Sequence, residues 1–596
     1  MADRMQRNGT KTYLRGSDHG RVIRGLILCS FLGSLSFLTG ASSAASDNRG
    51  VVSRPNVLIL MSDDHRADVM GVAGDTAVVT PNMDRLAAEG IRFTHFASQS
   101  PVCVPSRATI MTGMYQSAHQ VLPLTPMDVD TTYLAEAFVD GGYSTGYAGK
   151  WHLNGISFFG NKADEGYVPP DARAGFQEWD AYDSGTDHDR PTTFDETQDP
   201  PLLVDVPGYD WTPSYYSDVF LDFAERHASD DEPWMYFLSY ALPHRPEEAP
   251  QEFLDMFPPA SMDLFGLAPE LEGNITPEEE QRFREILQAY YAQISFLDSE
   301  IGIVLDGLEA LGLDDDTLVV YFSDHGELLG SHYFDVRDVG SPLGDDPEIF
   351  FRAKSLPYAA SIRAPLIMRW PGNIPAGLEV DALMSTVDFP MTILDLAGLD
   401  VPRKMQGNSM REWCLGEVGP QVDGIYLSAA VIDGKVWEGV WTGNYVYSSD
   451  GDLKMLYDHT NDAQELNNLF DDPAYSAIQD DLQQMVDELA IAAATIPDDG
   501  GGGNCLIATM AAGTPLASEL DIIRAFRNDV LLDNPLGGIM ASAYYRVSSI
   551  TAPRVRNASG ASGVIETSGL IQNALPGLVL AVALTFCSHF SRRRRA

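Results

Sequence analysis

Arg54-Pro55-Asn56-Val57-Leu58-Ile59-Leu60-Met61 runs into Ser62-Asp63-Asp64-His65. An unbroken apolar run of this kind marks a strand covered on both faces, as in a parallel sheet packed between helices. It stops at two adjacent carboxylates, and the C-terminal end of such a strand is where open α/β sheets bind ligands. Asp63 and Asp64 repel each other unless a cation lies between them. A hard divalent metal is one reading; a solvated turn is the other. Three later stretches share the form. Tyr143-Ser144-Thr145-Gly146-Tyr147-Ala148-Gly149 leads to Lys150-Trp151-His152-Leu153. Trp234-Met235-Tyr236-Phe237-Leu238-Ser239-Tyr240 leads to Pro243-His244-Arg245-Pro246. Leu318-Val319-Val320-Tyr321-Phe322 leads to Ser323-Asp324-His325-Gly326.

Helical patterns lie between these strands. Thr80 to Ala87 reads as a capped helix, and Ser214 to His227 is amphipathic with Val219, Phe220, Phe223 and Ala224 on one face. Thr276-Pro277-Glu278-Glu279 is a capping box with proline at the first helical position. The predicted fold is α/β: a large mixed, mainly parallel sheet sandwiched by helices, with a smaller C-terminal α/β subdomain. In that subdomain Tyr426-Leu427, Glu438 to Trp441 and Tyr445 to Tyr447 read as antiparallel strands. Residues 154–212 are rich in Gly, Asp and Pro and read as a long loop on the rim of the site, where substrate preference resides.

A second focus is Ser100-Pro101-Val102-Cys103-Val104-Pro105-Ser106-Arg107-Ala108-Thr109-Ile110-Met111-Thr112-Gly113. Pro101 and Pro105 keep the chain extended and then release it into a helix that Gly113 can stop. Cys103 falls just before or at the helix N-terminus, where free N–H groups and the dipole favour an anion. Arg107, about one turn on, adds a fork of donors. Lys150 and His152, two apart on an extended segment, point the same way. His244 is held between prolines, and Arg245 is rim or ligand. Taken alone, each of these side chains also has an ordinary reading: a buried thiol, a surface lysine, a core or turn histidine.

The 596 residues suffice for more than one core. Acidic residues number 85 against 39 basic, a net charge of -46. That excludes the basic footprint of a nucleic-acid binder, and the field would repel an anionic substrate except where cations are local. Five cysteines, Cys29, Cys103, Cys414, Cys505 and Cys587, show no disulfide framework or zinc spacing. Arg21 and Arg24 before the apolar run Leu26 to Leu38, with small residues Ala41 to Ser46, read as an export leader over 1–46, either cleaved near Ala45 or kept as an anchor. Asp498 to Asn504 is a glycine-rich linker, taken as 496–504. A helical module follows over 505–573, with an amphipathic stretch at Leu516, Leu520, Ile523, Phe526 and Val530. The segment 574–596 is apolar with an Arg-rich end. Basic residues favour the cytoplasmic side, so the tail is expected to tether an exported domain to the membrane, permanently or in transit.

Cys-x-Pro-Ser-Arg followed by x-x-x-Met-Thr-Gly resembles the signature of type I, formylglycine-dependent sulfatases, members of the alkaline phosphatase-like superfamily. The opening Pro55-Asn56 run with Asp63-Asp64, the string Gly149-Lys150-Trp151-His152-Leu153 and Ser323-Asp324-His325-Gly326 resemble further motifs of that family. So does Lys354 before Tyr358 and Ile362-Arg363-Ala364-Pro365-Leu366-Ile367, and so does Glu465-Leu466-Asn467-Asn468-Leu469. The likeness spans about 54–490, divided into a catalytic domain at 54–400 and a C-terminal subdomain at 401–495. Cys505-Leu506-Ile507-Ala508-Thr509 is similar to the start of a bacterial Cys-Phe-Ile-box sorting tail, with Leu506 in place of the usual Phe.

The resemblance implies a sulfuric ester hydrolase in which Cys103 is oxidised to Cα-formylglycine by a dedicated machinery. Asp63, Asp64, Asp324 and His325 would hold one calcium ion, with modified Cys103 as a further ligand. Arg107 and Lys150 would stabilise formylglycine and sulfate, His152 would be the base for sulfate release, and His244 and Lys354 would bind sulfate and assist the leaving group. The hydrated aldehyde carries two hydroxyls: one attacks sulfur, and the other, once deprotonated, ejects sulfate. The expected substrate is a sulfate monoester, with a sulfated polysaccharide fitting an exported acidic protein. Two other readings stand beside this one: a phosphonate monoester or phosphodiester hydrolase of the same superfamily, and a membrane-tethered glycan-binding homologue without activity.

Overall fold

Val57, Leu58, Ile59, Leu60 and Met61 are inaccessible to solvent, and their alternation shows why. Val57, Ile59 and Met61 enter one hydrophobic core and Leu58 and Leu60 another, as the two-residue period of a strand requires. This is a computed structural model, and it describes residues 54–497 apart from 124, 156–165, 184–187, 199–200, 265–274, 333–351, 353, 431–435 and 451–452. The leader at 1–46, the glycine run from 498, the module at 505–573 and the apolar tail at 574–596 lie outside the described residues. Among the described residues no helix is long and apolar enough to cross a membrane.

Among the described residues sixteen strands follow in order: β1 (Asn56–Asp63), β2 (Ile91–Phe93), β3 (Phe96–Ala97), β4 (Ser144–Lys150), β5 (Glu178–Tyr182), β6 (Thr192–Asp195), β7 (Leu202–Asp205), β8 (Trp234–Pro243), β9 (Thr317–Ser323), β10 (Leu366–Arg369), β11 (Leu378–Val380), β12 (Met384–Ser385), β13 (Ile425–Ala430), β14 (Val436–Trp441), β15 (Tyr445–Asp450) and β16 (Leu453–Asp458). Eight of them form the main sheet in the order β11-β2-β10-β9-β1-β8-β4-β5. Only β10 runs against its neighbours in it. The mixed, mainly parallel sheet sandwiched by helices is therefore present. Helices Thr212–His227 and Pro277–Leu311 cover one face through Phe220, Phe223, Tyr290 and Leu297. Helices Cys103–Thr112, Leu134–Asp140 and Phe389–Leu396 cover the other through Ala108, Leu134 and Phe389.

Register carries the site. Ser62 pairs with Ser323, Asp63 with Pro243 across a bulge, and Gly149 with Ser239. The C-terminal ends of β1, β4, β8 and β9 thus lie side by side. The C-terminal subdomain is the antiparallel sheet β13-β14-β15-β16, closed by helix Ser476–Ala493.

Two expectations are corrected. Residues 154–212 contain more than loop: β5 extends the main sheet beside β4, and β6 and β7 form a hairpin. β5 is an edge strand reading Glu178-Trp179-Asp180-Ala181-Tyr182, so its faces carry acidic residues that hide it in a polar stretch. Asp180 accepts from the Thr193 hydroxyl at 2.8 Å, tying hairpin to edge. At helix Pro81–Glu89, Thr80 makes no side-chain cap. Asp298, from the long helix Pro277–Leu311, accepts the Asn82 and Met83 amides at 3.0 and 2.8 Å instead. The Thr80 hydroxyl accepts from the Gly71 amide.

Candidate active site

Cys103 is the first residue of helix Cys103–Thr112 and 4% exposed. Val102 before it is extended, and Gly113 ends the helix in the left-handed conformation. The helix start abuts the C-terminal ends of β1 and β9 in the middle of the sheet. Cys103 Sγ lies 3.1 Å from Lys354 Nζ, 3.3 Å from His325 Nε2 and 3.7 Å from Asp63 Oδ1. Lys354 Nζ also reaches Asp64 Oδ1 at 2.6 Å, and Lys150 Nζ reaches Asp63 Oδ2 at 2.5 Å. His325 Nδ1 is 2.9 Å from the Gly326 carbonyl and 3.2 Å from Asp64 Oδ1. His244 Nε2 is 3.9 Å from Asp64 Oδ2. Residues from six separate segments of the chain meet here.

Charge is balanced at close quarters. Burial opposes ionisation of Asp63, but Lys150, His244, Arg107 and Lys354 outweigh it and hold the carboxyl well below its ordinary value. Asp64 is lowered too, burial being overcome by Lys354 and His244. Asp324 goes the other way: burial and the Asp63 charge push it up to about 6. Burial disfavours the His325 cation, yet Asp324 outweighs this and the ring is raised to about 10. Burial and Asp63 would raise the Cys103 thiol, but Lys354, Lys150 and His325 bring it down to about 7. An electron-rich group at this position is therefore well supported.

The donors fit a hard cation. Asp63, Cys103, Asp324 and His325 each offer one atom within 4.8 Å of the others, and so do Asp63, Asp64 and His244. Three buried carboxylates converge, as a calcium-type ion requires. With Nδ1–H of His325 donated to the Gly326 carbonyl, Nε2 is the free ligand atom.

Two expected placements differ. Arg107, expected to add its donor fork for an anion beside Cys103, gives that fork to the site's carboxylates instead. It is 1% exposed, with Nε on Asp324 at 2.9 Å and Nη2 on Asp63 at 3.0 Å. Its Nη1 donates to the Lys150 carbonyl at 2.7 Å and the Ser239 hydroxyl at 3.0 Å. Burial in the helix turns the guanidinium toward the carboxylates, so it braces them. Lys150 and His152 are not on one extended face either: β4 ends at Lys150, and His152 has a φ of 60°. The His152 Nδ1 is buried without a hydrogen-bond partner. Burial, with Lys150 and Arg107 beside it, lowers the ring to about 3, leaving it neutral.

Residues 55–399 match the sulfatase family profile. The chain belongs to the sulfatase family. It is a sulfuric ester hydrolase, and residues 348–492 match a second profile, the C-terminal region of N-sulphoglucosamine sulphohydrolase. An ulvan-active sulfatase of Formosa agariphila is 31% identical over 73% of this chain and 81% of its own length. An N-acetylglucosamine-6-O-sulfatase of Bacteroides thetaiotaomicron is 25% identical over 75% of this chain and 88% of its own. Among solved structures, a phosphonate monoester hydrolase of Agrobacterium radiobacter shares the fold with a TM-score of 0.60 at 24% identity, covering 74% of this chain and 96% of that one.

This sulfatase has supporting residues that motif reading passed over. His188 Nε2 is 2.8 Å from the His244 carbonyl. Arg352, 2% exposed, binds Glu327 through Nε at 3.0 Å and Nη2 at 2.7 Å. Its Nη2 also donates to the Pro243 carbonyl at 2.8 Å. Glu327 and Arg352 sit three residues after Asp324 and two before Lys354, close enough to the motifs to be found. His188 lies in the stretch read as loop and had no such signal.

Proposed function

We propose that this sulfatase removes sulfate from a sulfated glycan, with Cys103 converted to formylglycine and calcium held by Asp63, Asp64, Asp324 and His325. The observation that carries the reading is the seating of Cys103 Sγ among Lys354, His325 and Asp63 at 3.1, 3.3 and 3.7 Å. Substrate class is supported by the relatives, one named for ulvan and one for N-acetylglucosamine 6-O-sulfate. Bound calcium and formylglycine would supply, respectively, charge stabilisation at a sulfate oxygen and the paired hydroxyls for attack and release.

The chain's own groups do the rest. Lys354 and Lys150 present ammonium groups to an anion at the Cys103 position. His244 donates Nδ1–H to the Arg245 carbonyl at 2.7 Å, leaving Nε2 toward the centre. Burial and Lys150 hold that ring well below its ordinary value, so Nε2 becomes an acid when the substrate's negative charge arrives. His152, neutral with an unpaired nitrogen, is suited to take a proton during sulfate release. Buried Arg107 keeps Asp63 and Asp324 apart and oriented. The apolar leader and tail support export and membrane tethering, and the modification calls for the formylglycine-generating machinery as a partner.

The test is a mass spectrum of the tryptic peptide ending at Arg107, together with sulfate release from ulvan and 4-nitrophenyl sulfate. An aldehyde in place of the thiol and metal-dependent turnover are expected. An unmodified cysteine in a host with the machinery would leave the non-catalytic glycan-binding reading. A faster rate on an aryl phosphodiester would move the assignment to the phosphonate hydrolase branch.

A further inference from the structure

Among the described residues, the lysines and arginines on the elements that build the site are, with one exception, committed to carboxylates. Arg107 is on Asp63 and Asp324, Lys150 on Asp63, and Lys354 on Asp64. Arg352 is on Glu327 and on Glu247 at 2.8 Å. Arg245 is the exception. It follows His244 directly and is half-buried, and Nη2 donates to the Arg352 carbonyl at 3.2 Å. Among the described residues no carboxylate pairs with it. Glu247, two positions on, turns to Arg352 instead.

Its position is well defined. Arg352 is anchored by Glu327, Glu247 and the Pro243 carbonyl. Pro246, on the other side of Arg245, accepts from Gln293 Nε2 at 2.7 Å. The carbonyl that holds Arg245 is two residues from Lys354, a span of about 7 Å at most, and the Lys354 ammonium touches Cys103 Sγ. Arg245 also follows His244, whose Nε2 lies 3.9 Å from Asp64 Oδ2, so its side chain, uncommitted to a carboxylate among the described residues, leaves the backbone next to the centre on the His244 side.

A chain with a net charge of -46 repels anions at long range. An arginine with no acidic partner among the described residues, next in sequence to His244, offsets that locally. Its planar fork matches a sulfate or carboxylate with two parallel hydrogen bonds.

We propose that Arg245 is a specificity-determining residue that takes a second anionic group, sulfate or carboxylate, carried on the same or the next sugar ring as the scissile ester. This rests on the glycan sulfatase reading above.

Arg245→Gln and Arg245→Lys test it against five substrates: 4-nitrophenyl sulfate, D-glucosamine-6-O-sulfate, D-glucosamine-2-N,6-O-disulfate, and ulvan oligosaccharides native and carboxyl-reduced. With Arg245→Gln, KM for the disulfate or for native ulvan oligosaccharides should rise about tenfold. Their kcat, and both constants for 4-nitrophenyl sulfate, should stay within about twofold. Arg245→Lys should recover part of the loss. A response to the disulfate identifies sulfate; a response that vanishes on carboxyl reduction identifies carboxylate. Unchanged KM on every probe overturns the proposal. Equal losses on 4-nitrophenyl sulfate and glycan also overturn it, since Arg245 would then act only through the Arg352 backbone. If the wild-type protein turns over no sulfate ester, the glycan sulfatase reading fails separately. Calorimetric binding of the same probes to Cys103→Ala protein then decides Arg245: a tenfold weakening by Arg245→Gln supports it, while no binding or equal binding sinks it.

Discussion

At the residue scale, Arg107 is the most constrained side chain of the site. Lysine cannot span Asp63, Asp324, the Lys150 carbonyl and Ser239 at once. Arg107→Lys should weaken calcium binding by about 10–100-fold, measured by calcium titration of the metal-free protein, with circular dichroism showing that the fold is kept. Protons compete for the same ligands. His325 is raised to about 10 and Asp324 to about 6 without metal. On the proposed reading, calcium binding must displace those protons. Apparent affinity should therefore climb between pH 6 and pH 9, with proton release on binding seen in weakly buffered solution. Affinity independent of pH over that range would show that His325 is not a ligand.

At the element scale, the strand ends decide the chemistry, and one helix contact illustrates what holds them. Asp298 caps helix Pro81–Glu89 from a helix more than two hundred residues away in sequence. Asp298→Ala leaves the buried Met83 amide and the partly buried Asn82 amide unpaired and should cost about 1–3 kcal/mol, read as a shift in the chemical denaturation midpoint. Such a contact shows where sequence reading stops. β1, β8 and β9 were legible because each carries a nearly continuous apolar run that ends in a distinctive tetrad bearing charged or histidine side chains. The helix starting at Cys103 was legible from its prolines and Gly113. β5 and the β6–β7 hairpin were not, because an edge strand alternating with acidic residues has the composition of a loop. The direction in which Arg107 points, and the positive φ at His152, depend on packing partners far along the chain, so local pattern could not supply them.

At the scale of the whole molecule, one buried carboxylate joins the subdomain to the rest. Glu465 is 3% exposed, accepts from His459 and His332 at 2.8 and 3.3 Å, and takes the Ala359 amide at 3.0 Å. Burial would raise it, but hydrogen bonds from His332 and His459 hold it below its ordinary 4.5. A carboxyl lowered on folding adds stability above its unfolded value, and loses it as pH falls through the folded value. Glu465→Gln should therefore lower Tm at pH 7, by about 1.5–3 kcal/mol of stability, and the difference should narrow as pH falls below the ordinary 4.5 and through the lowered folded value. Net charge gives a second prediction. With -46 charges on the protein, kcat/KM for a polyanionic glycan should rise as salt is added up to about 0.1–0.2 M, where screening lengths fall to about 10 Å. The rate on singly charged 4-nitrophenyl sulfate should change less.

The burial of Cys103 sets an order of events. The thiol is closed over partly by Lys354, which lies 251 residues downstream. An oxidising enzyme that must grip the Cys103 segment has access only while that later part of the chain is unmade or undocked. On the proposed reading, activation would then belong to the history of the chain, before folding, and be sealed in by it. Denatured protein that already carries the aldehyde should regain activity on refolding. Protein that folded unmodified should stay inactive however long the machinery is supplied afterwards, and should respond only if it is first unfolded in its presence.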